Sequence, residues 1–219
     1  IGEGMKKGVI FDLDGTLWDA CEAIADSWNE YLTKVRTDLK EFHLSVNEGD
    51  VRRLCGRTMD VFGDELFPQI PDEKVRRKLG EECCAYEVEY LKHSGGRIYP
   101  GVQETLERLR EKYSLYIVSN CQVGYIEDFL TWSHTEDLFE DTEDYGTTLK
   151  VKDENIRMVI MRNKIDQAVY VGDTVMDHKS AAKAGVPFIH CRFGFGRVEG
   201  VPGVDTFFQL PEVIASILE

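Results

Sequence analysis

Hydrophobic and polar positions divide the chain into two kinds of segment. Between residues 18 and 96 apolar residues recur three and four positions apart, which is the period of amphipathic helices. Outside this stretch, short apolar runs alternate with helical patterns; the runs are Val9–Phe11, Leu115–Val118, Ala168–Val171 and Val186–Cys191. Such alternation indicates a parallel sheet covered by helices on both faces. We therefore predict an α/β core domain, residues 1–17 and 97–219, with an all-helical insertion, residues 18–96.

Capping residues give more local predictions. Asp19 is expected to cap the first helix of the insertion, Ser45–Glu48 to form a capping box before a second, and Asp72 to cap a long helix that Ser94–Gly96 ends. In the core, Asp153 is expected to cap a helix. Two short strands are predicted at Phe139–Thr142 and Thr206–Phe208.

Two aspartates follow the first apolar run directly. Asp12 and Asp14 are two residues apart, so their side chains would leave a strand on the same side, just before Gly15 turns the chain. Two carboxylates so close repel each other, and burying them is unfavourable unless a cation or a shared proton compensates. Mg²⁺ prefers oxygen ligands and is often held by one or two carboxylates together with substrate phosphate. The stretch therefore predicts a Mg²⁺ site rather than a solvated acidic turn.

Three further segments bring polar groups to the same edge of the predicted sheet, because ligands of open parallel sheets bind at the carboxyl ends of the strands. The second apolar run ends in Ser119 and Asn120, which supply a hydroxyl, an amide and backbone N–H groups. Asp173 and Asp177 follow the third run, and Lys152 lies just before a predicted helix. Four such segments at neighbouring strand ends indicate one site.

Composition narrows the choice of partners. The chain has 219 residues, 42% of them hydrophobic, and a formal net charge of −14. This charge disfavours nucleic acid or an anionic membrane as a partner, but not a small phosphorylated metabolite, because a lysine and a metal can reverse the field in one pocket. No apolar run approaches the roughly 20 residues that span a bilayer, and no secretory signal is visible. The six scattered cysteines are then expected to be reduced thiols. We expect a cytoplasmic monomer or homodimer.

These motifs resemble those of the haloacid dehalogenase superfamily, in its phosphatase branch. The four motifs of the superfamily are matched in order by Asp12–Leu17 (D-x-D-G-T-[LV]), Ser119, Lys152, and Gly172–Asp173 with Asp177. Members usually follow the lysine with proline, whereas Asp153 follows here, so Lys150 stays an alternative to Lys152. The resemblance implies a Rossmann-like core with a C1-type helical cap, and it points to phosphoglycolate-phosphatase-like enzymes.

The resemblance also implies a mechanism. Asp12 would attack phosphorus and form an aspartyl-phosphate, and Asp14 would protonate the leaving oxygen and then activate water. Mg²⁺ would be held by the carboxylates of Asp12 and Asp173 and by the main-chain oxygen of Asp14, with Asp177 behind them or in contact through water. The equatorial phosphate oxygens would be held by Ser119, the backbone N–H of Asn120, and Lys152.

Other functions remain open on the sequence. A sugar phosphomutase similar to β-phosphoglucomutase would share all four motifs, and Gly56–Arg57–Thr58 faintly resembles the cap loop of such enzymes. A non-catalytic binding protein on the same fold would be expected to lose a catalytic carboxylate, and none is lost. The helix break at Gly56 could bring Arg57 over the leaving group, although a solvated surface role is equally consistent. A helical cap implies a small metabolite, but the sequence does not choose among glycolate, sugar and nucleotide phosphates.

Overall fold

The structure is a computed structural model that describes residues 4–219. This part of the chain contains eight strands and ten α-helices. The strands are β1 (Lys7–Phe11), β2 (Trp18–Asp19), β3 (Arg97–Ile98), β4 (Ser114–Ser119), β5 (Asp141–Asp144), β6 (Gln167–Gly172), β7 (Phe188–Cys191) and β8 (Gly203–Val204). The helices are α1 (Cys21–Lys34), α2 (Glu48–Leu54), α3 (Phe62–Leu66), α4 (Glu73–Ser94), α5 (Val102–Arg110), α6 (Tyr125–Ser133), α7 (Tyr145–Thr148), α8 (Lys152–Arg162), α9 (Val175–Ala184) and α10 (Leu210–Leu218).

Six of the strands form one parallel sheet in the order β5-β4-β1-β6-β7-β8. β1 lies in the middle, where Ile10 is in register with Tyr116 of β4 and Tyr170 of β6. The carboxyl ends of β1, β4 and β6 are therefore neighbours at one edge of the sheet. This confirms the predicted α/β fold with a parallel sheet.

The central strand is apolar on both faces, as expected for a parallel sheet that helices cover on both sides. Val9 and Phe11 belong to a hydrophobic cluster on one face, and this cluster continues into the helical insertion. Ile10 points to the other face and packs with residues of α8 and α9, among them Ile156 and Ala181. The burial of all three side chains fixes which way the following residue, Asp12, leaves the sheet.

The helical insertion lies between β2 and β3, which pair antiparallel with Trp18 opposite Ile98. The prediction of helical structure from residue 18 onward is wrong for Trp18–Asp19, because a two-residue strand is too short to show a period. From α1 to α4 the insertion contains helices and turns, and α1 packs along α4. Residues 1–3 of the predicted core lie outside the described residues.

Asp72 caps α4 as predicted, whereas the caps of α1 and α2 differ from the predicted ones by one or two residues. Asp19 lies one residue before the N-cap of α1, although its carboxylate accepts the N–H of Cys21 at 3.1 Å. The capping box of α2 uses Asn47 and Asp50 instead of Ser45 and Glu48. At α2 a neighbouring residue offers an equivalent oxygen, whereas at α1 the N-cap is Ala20, which has no side-chain oxygen.

Three predictions in the core are wrong in position or type. Asp153 lies inside the first turn of α8 rather than at its cap, which is Val151. β5 begins at Asp141, two residues later than predicted. The segment around Phe207 is a 3₁₀ turn, because Thr206 and Gln209 form a capping box there.

No helix in the described range is both long and apolar enough to cross a bilayer.

Candidate active site

A buried lysine lies at the carboxyl edge of the sheet between two aspartates. Lys152 comes from the first turn of α8, and its Nζ donates to Oδ1 of Asp12 at 2.9 Å and to Oδ1 of Asp177 at 2.7 Å. Although burial works against the charged form, the two carboxylates hold the pKa of Lys152 well above its usual range. Lys150, the alternative, is exposed. Of the two lysines, the structure thus brings Lys152 to the predicted site.

Asp173 faces Asp12 from the end of β6 and is enclosed by glycines. Its Oδ2 accepts the backbone N–H of Phe195 at 2.7 Å, and Thr16 reaches its Oδ1. Gly15 adopts a positive φ of 79°, and a Cβ there would lie 2.1 Å from Oδ2 of Asp173. Only glycine lets the turn after β1 come this close to the carboxylate.

The three acids at this edge suit a divalent cation. Carboxylate oxygens of Asp12, Asp173 and Asp177 lie within 4.8 Å of one another, and all three residues are buried. Burial raises the pKa of Asp12 to about 7, with the charge of Asp177 adding to the rise and Lys152 opposing it. Burial, with the charges of Asp177 and Asp12 adding to it, raises the pKa of Asp173 well above its usual range, while the Phe195 N–H and Lys152 oppose the rise. One ammonium does not offset the three carboxylates, so a hard cation with oxygen ligands fits the donor set.

Asp177 differs from its two neighbours. Burial opposes its ionisation too, but Lys152 and hydrogen bonds from Thr174 leave its pKa below the usual range. Its Oδ2 accepts the N–H groups of Asp173 and Thr174, both at 3.1 Å. Asp177 therefore fixes the start of α9 and orients both Lys152 and the loop that carries Asp173.

Asp14 turns away from this group of acids toward the helical insertion. Its Oδ1 accepts hydrogen bonds from the Trp18 indole at 3.1 Å and from the Tyr125 hydroxyl. No hydrogen bond within residues 4–219 involves its Oδ2. Burial raises the pKa of Asp14 to about 6, and the bonds from Tyr125 and Trp18 oppose the rise. Neither partner follows from the motifs of the sequence, although the position of Trp18 just after the aspartate motif was an available signal.

The loop after β4 contacts the insertion directly. Ser119 ends the strand and is buried. The Nδ2 of Asn120 donates to the carbonyl oxygen of Gly56 at 2.9 Å. Gln122 donates to Oε1 of Glu87 on α4 at 2.7 Å. The predicted phosphate-binding segment and the predicted cap residue Gly56 are thus brought together.

A small cavity of about 30 Å³ lies between this loop and the insertion. Its polar lining includes Asp14, Arg57, Glu87 and Asn120, while the remainder is mostly apolar. Arg57 forms an ion pair with Glu65 at 3.1 Å and is 37% exposed. The structure therefore places Arg57 at the rim of the cavity, already paired with an acid.

Fold and site together define an α/β enzyme in which buried acids and a lysine meet at the carboxyl edge of a parallel sheet. Residues 9–191 match the model of the haloacid dehalogenase-like hydrolase family, and the chain belongs to this family. The resemblance seen in the sequence motifs is confirmed.

Three relatives illustrate the similarity. Phosphoglycolate phosphatase of Mannheimia succiniciproducens is 27% identical over 198 residues, covering 86% of this chain and 87% of the relative. The probable phosphatase IndB of Dickeya dadantii is 25% identical, covering 98% of this chain and 96% of the relative. A crystal structure of a predicted phosphoglycolate phosphatase from Haemophilus somnus superposes with a TM-score of 0.80 at 23% identity, covering 97% of this chain and 100% of that one.

Proposed function

We propose that this phosphatase of the haloacid dehalogenase-like family hydrolyses small phosphomonoesters with Mg²⁺, through a phosphoryl group carried on Asp12. The observation that carries the proposal is the buried contact of Asp12 with Lys152 beside Asp173 and Asp177. A nucleophile needs to be held in place, and it needs a positive charge nearby that attracts the phosphoryl group. The contact of Asp12 with Lys152 supports both requirements. The names of the phosphatase relatives support the same reaction class.

In the first step an oxygen of Asp12 forms a bond to phosphorus while the bond from phosphorus to the leaving alcohol oxygen breaks. Asp14 gives its proton to that oxygen, and its pKa of about 6 allows it to hold a proton and to release one near neutral pH. In the second step Asp14 takes a proton from a water molecule, whose oxygen attacks phosphorus. Inorganic phosphate leaves and Asp12 is restored.

The other polar groups at the edge would hold the phosphoryl oxygens. We assign this role to Ser119, the backbone N–H of Asn120, and Lys152, which come from β4, the loop after it, and α8. When bound, Mg²⁺ would be held by Asp12, Asp173 and the main-chain oxygen of Asp14, with Asp177 behind them, and would supply positive charge that offsets that of the phosphoryl group. Residues 18–96 would act as a cap that encloses the leaving group.

The first prediction is that Asp12→Asn lowers kcat by about a thousandfold or more, because the amide keeps the shape but cannot act as the nucleophile. The measurement is the Mg²⁺-dependent release of inorganic phosphate from p-nitrophenyl phosphate and from a panel of phosphomonoesters. Asp26→Asn, which changes an exposed acid on α1, serves as the matched control. Near-normal turnover by folded Asp12→Asn would contradict the proposal. An isomerised sugar phosphate without phosphate release would indicate a mutase instead.

A further inference from the structure

The carboxylate of Asp173 is oriented by the loop that follows β7. The backbone N–H of Phe195 donates to its Oδ2 at 2.7 Å. The hydroxyl of Thr16 lies 3.4 Å from its Oδ1, which is long for a hydrogen bond between two oxygens. Of the two hydrogen bonds that this carboxylate accepts within residues 4–219, the one from Phe195 is therefore the stronger constraint on its orientation.

The backbone of this loop is pressed against Asp173 and the turn after β1. A Cβ on Gly194 would lie 2.3 Å from the Cβ of Asp173 and 2.3 Å from the carbonyl oxygen of Gly15. Contacts this short exclude a side chain at Gly194. The residue that follows, Phe195, is thus coupled closely to the acid that its N–H holds.

The ring of Phe195 contacts the helical insertion. The guanidinium carbon of Arg52, on α2, lies 5.2 Å from the centre of the ring, within the range of a cation–π interaction. The same ring lies close to the turn after β1, because a Cβ on Gly15 would be 3.0 Å from its Cδ2. Phe195 therefore contacts both the aspartate turn of the core and a cationic side chain of the insertion.

Arg52 is itself fixed by two acids. Its Nη2 lies 3.3 Å from Oδ2 of Asp19, and it also pairs with Glu48, one turn earlier on α2. Arg97 pairs with the same oxygen of Asp19 at 3.1 Å. Asp19 and Arg97 lie opposite each other on β2 and β3, the strands through which the chain enters and leaves the insertion. Arg52 therefore connects this junction with the loop that holds Asp173.

We propose that Arg52 and Phe195 are positioning residues for the metal site. Arg52 holds the ring of Phe195, and Phe195 holds its backbone N–H on Asp173, which keeps the carboxylate in one orientation for the cation. The packing of the insertion on the core thereby contributes to the affinity for Mg²⁺. The proposal rests on the Mg²⁺-dependent function proposed above, and it adds two residues that do not touch the reacting atoms.

The test is the dissociation constant of Mg²⁺, measured by calorimetric titration after treatment with EDTA, for the wild type, Arg52→Gln and Phe195→Leu. Loss of a positive charge would by itself favour a bound cation, so electrostatics alone predicts a lower Kd in Arg52→Gln. A positioning role predicts the opposite sign, and we expect Kd to rise about threefold to tenfold in each variant. The matched control is Arg53→Gln, which removes an exposed arginine that pairs with Asp50 on the same helix, and its Kd should not rise.

The double variant Arg52→Gln/Phe195→Leu tests whether Arg52 acts through the ring. We expect its Kd to equal that of Phe195→Leu, because the ring is then already absent. A Kd raised by the product of the two single effects would overturn this link. A merely structural role of Arg52 would lower the melting temperature in EDTA and leave Kd at the wild-type value. That result, or a lower Kd in Arg52→Gln, overturns the proposal.

The positioning role and the phosphatase function can fail separately. Hydrolysis of p-nitrophenyl phosphate by the wild type, with one Kd for Mg²⁺ in the wild type and both single variants, overturns only the positioning role. A wild type that binds Mg²⁺ and hydrolyses no ester overturns the function, and the comparison of Kd values still decides the roles of Arg52 and Phe195. A wild type that binds no Mg²⁺ overturns the metal-dependent function and the positioning role together.

Discussion

Asp14 is held from one side, since Trp18 and Tyr125 both donate to its Oδ1. In the proposed mechanism, Oδ2 is then the oxygen that faces the leaving group and exchanges a proton with it. Removing the Tyr125 hydroxyl should let the carboxyl group rotate away from that position. A hydrogen bond to a charged group contributes about 1.5–3 kcal/mol, so we predict that Tyr125→Phe lowers kcat roughly tenfold to a hundredfold.

Tyr116→Phe is the matched control for this prediction. Tyr116 is also buried in the sheet, but its hydroxyl donates to Glu140, away from the catalytic edge. Steady-state kinetics of the two variants on p-nitrophenyl phosphate should show a loss of kcat in Tyr125→Phe alone, with little change in KM. Equal rates in both variants would mean that the hydroxyl of Tyr125 does not position Asp14.

At the scale of secondary-structure elements, the notable feature is a buried acidic side chain on helix α4. Cys83, Glu87 and Leu91 are all buried and lie four residues apart, so Glu87 occupies an apolar position of the helix face.

The third prediction concerns the pH dependence of stability. The pKa of Glu87 is about 8 in the folded protein against 4.5 ordinarily, so between these values the unfolded chain binds fewer protons than the folded one. The contribution of Glu87 to the free energy of unfolding therefore falls as pH rises through this window.

The measurement is the free energy of unfolding in urea at several pH values from about 5 to 8.5. Relative to Glu87→Gln, we expect the free energy of unfolding of the wild type to fall by up to about 1.4 kcal/mol per pH unit as pH rises to 8. Above pH 8 the difference should no longer change. Glu89→Gln, an exposed position on the same helix, should give a difference that does not change with pH over this range. A flat difference for Glu87→Gln as well would mean that Glu87 is ionised throughout.

Elements with a strong local pattern were predictable from the sequence, and so were the acids that follow β1 and β6. Asp12 and Asp173 follow apolar runs that have to be buried, so the position of their side chains at the sheet edge follows from the strands. Contacts between distant segments were not predictable in this way. Glu87 meets Gln122 across 35 positions, and Tyr125 meets Asp14 across 111, and both pairs depend on how the insertion packs against the core. An acid on the buried face of α4 was the available signal for Glu87.

At the scale of the whole molecule, negative charge is concentrated at one buried site, and a metal ion would compensate it. The chain carries a net charge of −14, and three of its acids are buried together around one lysine. A phosphomonoester brings further negative charge to the same edge. Without an added cation, burial raises the pKa of Asp12 to about 7, which opposes the ionised form that the proposed nucleophilic role requires near neutral pH. A bound cation would both stabilise the fold and favour the ionised form of Asp12.

The fourth prediction follows from this balance. Adding Mg²⁺ to protein treated with EDTA should raise the melting temperature, because the cation binds the folded state and relieves repulsion among the buried acids. At a concentration of about a hundred times Kd the gain is about 2.7 kcal/mol, or roughly 5–10 °C for a chain of this size. Activity should disappear in EDTA and return with Mg²⁺. Ca²⁺ should restore it poorly, since it prefers more ligands at longer distances.

Asp173→Asn separates a bound metal from a general salt effect. The amide is a weaker ligand, so the rise in melting temperature with Mg²⁺ should largely vanish in this variant, while Asp26→Asn on the exposed face of α1 should keep it. The variant should also be more stable than the wild type in EDTA, because it removes one of three buried carboxyl groups whose charges oppose each other. An equal Mg²⁺-dependent shift in both variants would place the metal elsewhere. Full activity of the wild type in EDTA would contradict a role for the metal in the reaction.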